Sequence, residues 1–312
     1  LPLESVAIYV PGSTASYPSS VLMNGIPALC AGVKRIVMIN PGYKGKQNPG
    51  VLYAAKKLKI KEIYSIGGPS AIAAVAYGTK KIKPVNKVIG PGNQYVSAAK
   101  KEVFGDIGIE GMTAGPSEVT IVADKTSNPE WIASDLIGQA EHDVLAQCIL
   151  ISKDKKILEL TRKEIFKQVK LIPRSSIAKK SLMTNGILLN VSSDKKIIEI
   201  INKLGPEHLE ILIKNYKPLV SKIKNAGSVC LGKYGVMAMT DYGVPGTNHV
   251  LPTNSTSKYS SGLNVSEFMK RISFITLSKK GIDKLGPSAI TLANYEGLSA
   301  HAESIIKRIR RK

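Results

Sequence analysis

The chain has 312 residues, of which 43% are apolar, so it can bury a sizeable core. This composition excludes a disordered chain and a small disulfide-stapled scaffold. This length predicts about two domains. Basic residues outnumber acidic ones by 44 to 23, a formal net charge of +21, and most are lysines scattered along predicted helices. Aromatic residues make up only 5% of the chain, so few platforms exist for stacking bases. We expect no nucleic-acid partner, and a basic nucleic-acid-binding protein is kept as an alternative.

The chain contains three cysteines, an odd number that argues against a disulfide framework and indicates a reducing cytoplasm. Each cysteine stands in an apolar run, so we expect Cys30, Cys148 and Cys230 to pack in the core. No run of 18 apolar residues occurs, which predicts no membrane span. The first residue is Leu1 and no signal peptide precedes it, so we expect a cytoplasmic fragment of a longer protein.

Short β-rich runs alternate with helical patterns over the first hundred residues. Strands are predicted at Val6–Tyr9, Arg35–Asn40, Glu62–Ile66 and Lys87–Ile89, and helices at Ser19–Gly32, Gly50–Leu58, Ser70–Gly78 and Gln94–Phe104. This alternation predicts βαβ units and a parallel sheet. Gly- and Pro-rich turns follow the strands, at the edge where open α/β sheets bind ligands. No complete dinucleotide fingerprint is present, because Gly90–Tyr95 lacks the third glycine.

A second α/β stretch follows the first. Strands are predicted at Glu118–Asp124, Gln147–Ser152, Ile187–Val191, Leu209–Lys214 and Val229–Leu231, with a helix at Pro129–His142 and others between the later strands. We interpret Gly235–Thr253 as a long loop, a type of segment that is often functional. The end of the chain, Lys280–Lys312, is predicted to be helical with a break at Gly286–Pro287.

Histidine is scarce, and each of the four histidines stands beside carboxylates, amides or turn residues. Gln139 and His142 are three apart on a predicted helix, so their side chains share a face and can offer two ligands to a metal ion. Oxygen and imidazole ligands suit zinc, and an open catalytic site fits better than a structural one. Asp241 and His301 are the candidates for the other ligands. The alternative is a polar pair that faces solvent.

Glu207 and His208 form an adjacent acid and base at a predicted helix-to-strand junction. Neighbouring side chains on an extended segment point in opposite directions, so the two could serve different steps. His208 could act as a base near neutral pH and Glu207 could activate water. From the local sequence alone, exposed polar residues at a helix end are an equal alternative.

Eight motifs in this order resemble those of the histidinol dehydrogenases over nearly the whole chain. They are Tyr9–Gly12, Gly90–Asn93, Ala114–Glu118, Gln139–His142, Gly205–Glu210, Asp241–Tyr242, Gly246–Thr253 and Glu296–His301. The resemblance implies an α/β fold of two Rossmann-like parallel-sheet domains with a helical C-terminal tail. It divides the chain into an NAD-side domain at 1–115, a domain with the zinc and catalytic motifs at 116–260, and a dimer-contact segment at 261–312. It also implies that part of the second domain precedes this chain.

The resemblance further implies oxidation of L-histidinol to L-histidine through L-histidinaldehyde, with two NAD⁺ and one zinc ion per chain, in a cytoplasmic homodimer. Carried over by motif, the expected zinc ligands are Gln139, His142, Asp241 and His301, and the catalytic pair is Glu207 and His208. The expected substrate contacts are Ser117, Gln139, His142, His208, Asp241, His249, Glu296 and His301, of which Glu296 and His301 would come from the partner subunit. The expected NAD contacts are Tyr9, Ser70 and Asn93.

This sequence departs from the family pattern in three places. Ser13 replaces a glycine, Ser70 replaces a glutamine, and the spacing from Asp241 to His249 is one residue longer, with Pro245 between them. A non-catalytic α/β protein that binds a small ligand is therefore a further alternative. The presence of Glu207, His208 and all four expected zinc ligands favours the enzyme.

Overall fold

The computed structural model describes residues 1–12, 16–43, 46–110, 115–244 and 246–309. The chain divides into two compact units, Pro2–Lys270 and a second unit of Leu1 with Arg271–Lys312. The larger unit contains two five-stranded sheets in which all strand pairs are parallel. The predicted α/β fold with two parallel sheets and a helical C-terminal segment is thus confirmed, whereas the predicted domain boundaries stay predictions.

The first sheet has the order β3-β2-β1-β4-β5. Its strands are β1 Ser5–Tyr9, β2 Arg35–Ile39, β3 Glu62–Tyr64, β4 Lys87–Ile89 and β5 Gly108–Ile109. Its helices are α1 Pro18–Ala31, α2 Pro49–Lys57, α3 Gly68–Tyr77 and α4 Gln94–Glu102. The central strands read as continuous apolar runs because both faces are covered by helices, as parallel sheets require. The sequence analysis missed β5, which has only two residues.

The second sheet has the order β10-β9-β6-β7-β8. Its strands are β6 Glu118–Ala123, β7 Gln147–Ser152, β8 Gly186–Asn190, β9 His208–Ile211 and β10 Ser228–Leu231. Its helices are α5 Pro129–Ala140, α6 Lys155–Gln168, α7 Ser175–Asn185, α8 Asp194–Leu204 and α9 Lys217–Val220. In both sheets the first strand along the chain is central, with the second and third on one side and the fourth and fifth on the other.

The segment predicted as one long loop contains a short helix, α10 Met237–Asp241, so that part of the prediction is wrong. Glu210 of β9 fixes the start of this helix, because its Oε1 accepts the Met237 N–H at 2.6 Å. Beyond α10 the chain returns to the first sheet, where Val250, Leu263 and Phe268 join the apolar core. This return brings residues 246–250 against α1.

The smaller unit is a helical hairpin of α11 Lys279–Tyr295 and α12 Ser299–Ile309. The predicted break at Gly286–Pro287 is wrong, because both residues lie inside α11. Gly286 lies so close to α12 that an added Cβ would meet Ile309 Cδ1 at 2.6 Å. Packing between the two helices therefore overrides the local preference of proline to end a helix. No helix in the described ranges is long and apolar enough to span a membrane.

The turn after β4 depends on Gly90, which has a φ of +115°, a conformation that side chains rarely adopt. An added Cβ would lie 2.3 Å from the Tyr9 carbonyl oxygen. We expect Gly90→Ala to lower the free energy of unfolding by about 2 kcal/mol or more, since a backbone clash adds to left-handed strain.

Gly138→Ala is the matched control, because a Cβ at this helical position meets no atom within 4 Å. It should stabilise the protein by roughly 0.5–1 kcal/mol, the helix preference of alanine over glycine. Urea unfolding of both variants measures the difference. Equal effects of the two changes would contradict the close approach at Gly90.

Candidate functional site

The predicted catalytic and metal-binding residues of the larger unit lie at the amino edge of the second sheet. Ser117 directly precedes β6, His142 precedes β7, and Glu207 precedes β9, whose first residue is His208. Gln139 lies near the last turn of α5, which ends at the same edge. Because the helices run antiparallel to the strands, their C-terminal ends, which carry partial negative charge, face this edge. The edge therefore favours a cation.

His208 lies at the centre of this group and is 3% exposed. Its Nε2 is 3.4 Å from Asp241 Oδ1 and 3.9 Å from Glu207 Oε1, while its Nδ1 has no hydrogen-bond partner. Burial, with a smaller contribution from His142 and His249, lowers the pKa of His208 to about 3. The ring is thus neutral and can accept a proton.

Two carboxyl groups lie within 4 Å of this ring, and a third, that of Glu118, raises the pKa of Glu207. Burial raises the pKa of Glu207 well above its ordinary value, raises that of Asp241 to about 6, and raises that of Glu118. Glu207 Oε2 accepts the Glu118 N–H at 2.9 Å, and Glu118 Oε1 accepts the Asn254 N–H at 3.0 Å. Glu118 was missed as a site residue, although it ends one of the motifs quoted above. These shifts indicate crowded acids that a cation would stabilise in their ionised form.

The amide of Gln139 is 1% exposed, and neither its oxygen nor its nitrogen has a hydrogen-bond partner. Buried amides are almost always satisfied, so the polar atoms of this group are available to a ligand. His142 as a residue is exposed, but partial burial of its ring, with the charges of Arg174 and His249, lowers its pKa. It lies in the turn after α5 rather than on the helix, so the predicted shared helix face is wrong. The turn still keeps the two residues together, because His142 N–H bonds the Gln139 carbonyl at 3.2 Å.

His249 connects this group to the first sheet. Its Nδ1 lies 2.7 Å from the Asp241 carbonyl oxygen, and its Nε2 lies 3.2 Å from the Ser20 hydroxyl in the first turn of α1. Burial lowers the pKa of His249, which favours the neutral ring. The site thus lies where the amino edge of the second sheet meets the beginning of α1.

The predicted NAD contacts lie at the carboxyl edge of the first sheet. The buried Tyr9 hydroxyl accepts the Gly68 N–H at 3.1 Å, and Asn93 caps α4 by accepting two N–H groups. Ser70 is exposed in the first turn of α3. Helices α1 to α4 have no acidic residue in their first turns. This edge therefore presents uncompensated positive helix ends, which suit phosphate groups.

Two of the expected site residues, Glu296 and His301, belong to the smaller unit, where both are exposed. Two of the family departures, Ser13 and Pro245, lie outside the described residues. The prediction that all cysteines are buried is wrong for Cys30, which is exposed. Burial raises the pKa values of Cys148 and Cys230 to about 12, so both are protonated thiols and poor metal ligands.

A family model described as histidinol dehydrogenase matches residues 1–309. The chain belongs to the histidinol dehydrogenase family. It is 76% identical to the histidinol dehydrogenase of Pelagibacter ubique, covering all of this chain and 73% of that one. It is 49% identical to that of Bacillus subtilis, covering 99% and 72% of the two chains. The family assignment makes the chain an oxidoreductase of histidine biosynthesis.

Solved structures agree with this membership. The histidinol dehydrogenase of Elizabethkingia anophelis superposes with a TM-score of 0.94 at 42% identity, covering 99% of this chain and 71% of that one. An acetylating aldehyde dehydrogenase of Geobacillus thermoglucosidasius superposes with a TM-score of 0.58 at 15% identity, covering 89% and 76%. The second match shows a shared fold alone.

A buried carboxyl pair lies beneath the site. Glu210 is fully buried, and the charge of the nearby Asp135 on α5 adds to burial in raising the pKa of Glu210. Burial raises the pKa values of both groups. Because these pKa values are raised in the folded state, burying the two carboxyl groups costs no stability at low pH, where both are protonated. The free energy of unfolding then falls as the pH rises through the folded-state pKa values.

We expect Asp135→Asn to reduce this fall in the free energy of unfolding at higher pH. Asparagine retains a hydrogen-bond donor but never ionises. The unfolding midpoint of the variant relative to the wild type should be higher at pH 8 than at pH 4.5, measured by urea titration in metal-free buffer. Asp154→Asn is the control, since either residue caps a helix. A difference between Asp135→Asn and the wild type that does not vary with pH would contradict the raised pKa values of this pair.

Proposed function

We propose that this chain oxidises L-histidinol to L-histidine through L-histidinaldehyde, with two NAD⁺ and one zinc ion. NAD dependence is the standard property of this enzyme class. The observation that carries the proposal is the buried group of His208, Asp241 and Glu207, in which a neutral imidazole lies within 4 Å of two carboxyl groups. An alcohol oxidised to an acid needs a base for its hydroxyl proton and then a base for water, and this group offers both.

The zinc ion would be held by Gln139, His142 and Asp241, with His301 as the fourth ligand. No group of three or more histidine, cysteine, aspartate or glutamate side chains is assembled around a metal position within the described ranges. Three observations nevertheless support a fit: the unsatisfied amide of Gln139, the raised pKa of Asp241, and the helix C-terminal ends that face them. Amide, imidazole and carboxylate ligands suit zinc. When bound, zinc supplies an anchor that orients the substrate's amino and imidazole nitrogens.

In the first oxidation, His208 takes the proton of the alcohol on Nε2 while the carbon-bound hydrogen leaves as hydride. The imidazolium that forms is stabilised by Asp241, whose Oδ1 lies 3.4 Å away. NAD⁺ would accept the hydride in each oxidation, with its phosphates at the carboxyl edge of the first sheet. Tyr9, Ser70 and Asn93 would line that edge.

In the second oxidation, Glu207 takes a proton from water as the water oxygen adds to the aldehyde carbon. The adduct that forms is the anion of the hydrate, with the negative charge on the former carbonyl oxygen, and its loss of a second hydride gives the carboxylic acid. The raised pKa of Glu207 suits this role, because a base is most effective when its pKa approaches the working pH. Ser117 and His249 would contact the substrate from the same edge.

The protein would act in the cytoplasm as a homodimer with shared sites. Glu296 and His301 are exposed on the helical hairpin, where a second copy of the chain could receive them. They would then complete the substrate and zinc sites of the partner subunit. We propose no membrane or nucleic-acid partner.

Metal binding has a direct test in His142→Ala. The wild-type protein should bind about one zinc ion per chain. The variant should lose zinc and histidinol-dependent NADH formation together. It should still fold, because the side chain that is removed is exposed and lies outside the core. Atomic absorption gives the metal content. Asp143→Asn, which preserves the turn beside His142, should keep its zinc. A metal-free variant with full activity would end the zinc proposal.

Glu207→Gln should separate the two half-reactions, because it keeps size and a hydrogen-bonding oxygen but removes the base. We expect slower aldehyde oxidation with a smaller effect on alcohol oxidation, measured as NADH formation from L-histidinaldehyde and from L-histidinol. His208→Asn is the comparison variant, which should slow the alcohol step by roughly 10²–10⁴-fold. Wild-type speed of Glu207→Gln with the aldehyde would remove Glu207 from the water-activating role.

A further inference from the structure

The loop after α10 holds α1 at two points one helical turn apart. His249 Nε2 lies 3.2 Å from the Ser20 hydroxyl, and the Asn248 side chain donates to the Met23 carbonyl at 2.6 Å. Gly243 in the same loop passes so close that an added Cβ would lie 2.3 Å from Met23 Cε. The contact is therefore closely packed as well as hydrogen bonded.

The direction of each hydrogen bond at His249 follows from the chemistry of its partners. The Asp241 carbonyl can only accept, so Nδ1 of His249 carries the ring proton. Nε2 of the neutral ring can then only accept, so the Ser20 hydroxyl is the donor. Ser20 is 2% exposed, and water cannot readily replace it in this role.

These contacts form a continuous chain from one sheet to the other. Ser20 lies in the first turn of α1, the helix that begins at the proposed cofactor edge. From Ser20 the chain passes through the His249 ring to the backbone of Asp241, whose carboxyl lies 3.4 Å from His208. The position of α1 is thus linked through these contacts to that of Asp241.

We propose that Ser20 is a positioning residue, whose hydroxyl fixes the ring of His249 and thereby sets the proposed base, His208, and Asp241 relative to the cofactor-side helix. This inference rests on the proposed function for its kinetic consequence, but the hydrogen bond itself does not. Ser20 need not touch substrate or cofactor. It aligns two halves of a site that are contributed by two different sheets.

The test compares Ser20→Ala, which deletes the hydroxyl, with Ser20→Thr, which keeps it. Ser127→Ala is the matched control, because it too deletes a buried serine hydroxyl. The Ser127 hydroxyl donates to the Leu212 carbonyl at the opposite edge of the second sheet. Alanine is favourable in a helix, so Ser20→Ala should fold. Nitrogen-15 NMR of the imidazoles is practical since the chain has only four histidines.

The His249 signals are assigned by their loss in the His249→Asn variant. In the wild-type protein without cofactor, these signals should show a proton on Nδ1 and a hydrogen-bonded Nε2. Ser20→Ala should move the Nε2 signal to the value of a free acceptor, whereas Ser20→Thr and Ser127→Ala should leave it in place. A wild-type proton on Nε2, or an unchanged Nε2 signal in Ser20→Ala, would overturn the proposal.

In steady-state kinetics, Ser20→Ala should lower kcat for L-histidinol by roughly 5- to 30-fold with little change in KM for NAD⁺, as expected when a neutral hydrogen bond that orients a reacting group is lost. Ser20→Thr should recover most of the rate. An NMR change without a kinetic change would refute the positioning role. An inactive wild type with the predicted NMR signals would count against the proposed function while supporting the Ser20 hydrogen bond.

Discussion

The burial of acidic and imidazole side chains at the amino edge of the second sheet is the constraint on which the site depends. Removing Glu207, His208 and Asp241 from water disfavours every charged form, so the pKa values of the two acids rise and that of the imidazole falls. Such a group is costly unless something compensates it. The unsatisfied amide of Gln139 and the converging helix C-terminal ends are features that the proposed zinc ion would compensate.

The two sheets share one strand order but use opposite edges. The carboxyl edge of the first sheet presents helix N-terminal ends without acidic residues in their first turns, whereas α5 and α8 begin with Glu130 and Asp194. At the carboxyl edge of the second sheet, Glu130 and Asp194 thus partly offset the positive ends of these two helices. Its amino edge instead gathers the residues that we propose to bind zinc and to act as acids and bases. The distribution of charge, more than topology, distinguishes the two halves.

The sequence predicts the strands well where both faces are buried, because continuous apolar runs such as Glu118–Ala123 leave few alternatives. Prediction from the sequence fails where contacts between residues distant in the chain determine the secondary structure. Helix α10 depends on Glu210, a residue on β9, and α11 continues through Pro287 because α12 packs against it. Neither contact is visible in local patterns.

The composition of the candidate site was predicted from motifs, but its connections were not. Nothing in the local sequence links Ser20 to His249, which are 229 residues apart, or Asp135 to Glu210. Each pair joins residues from different parts of the fold, so the two residues come together only when those parts pack against each other. Glu118 could have been recognised, since it ends a motif that already included Ser117.

X-ray absorption at the zinc edge of the wild-type protein tests the central claim most directly, because it reports the ligand atoms themselves. The account predicts a first shell of nitrogen and oxygen only, at about 2.0–2.2 Å, from amide, imidazole and carboxylate ligands. A sulfur shell at about 2.3 Å would place the metal on cysteine and contradict the assignment of Gln139, His142 and Asp241.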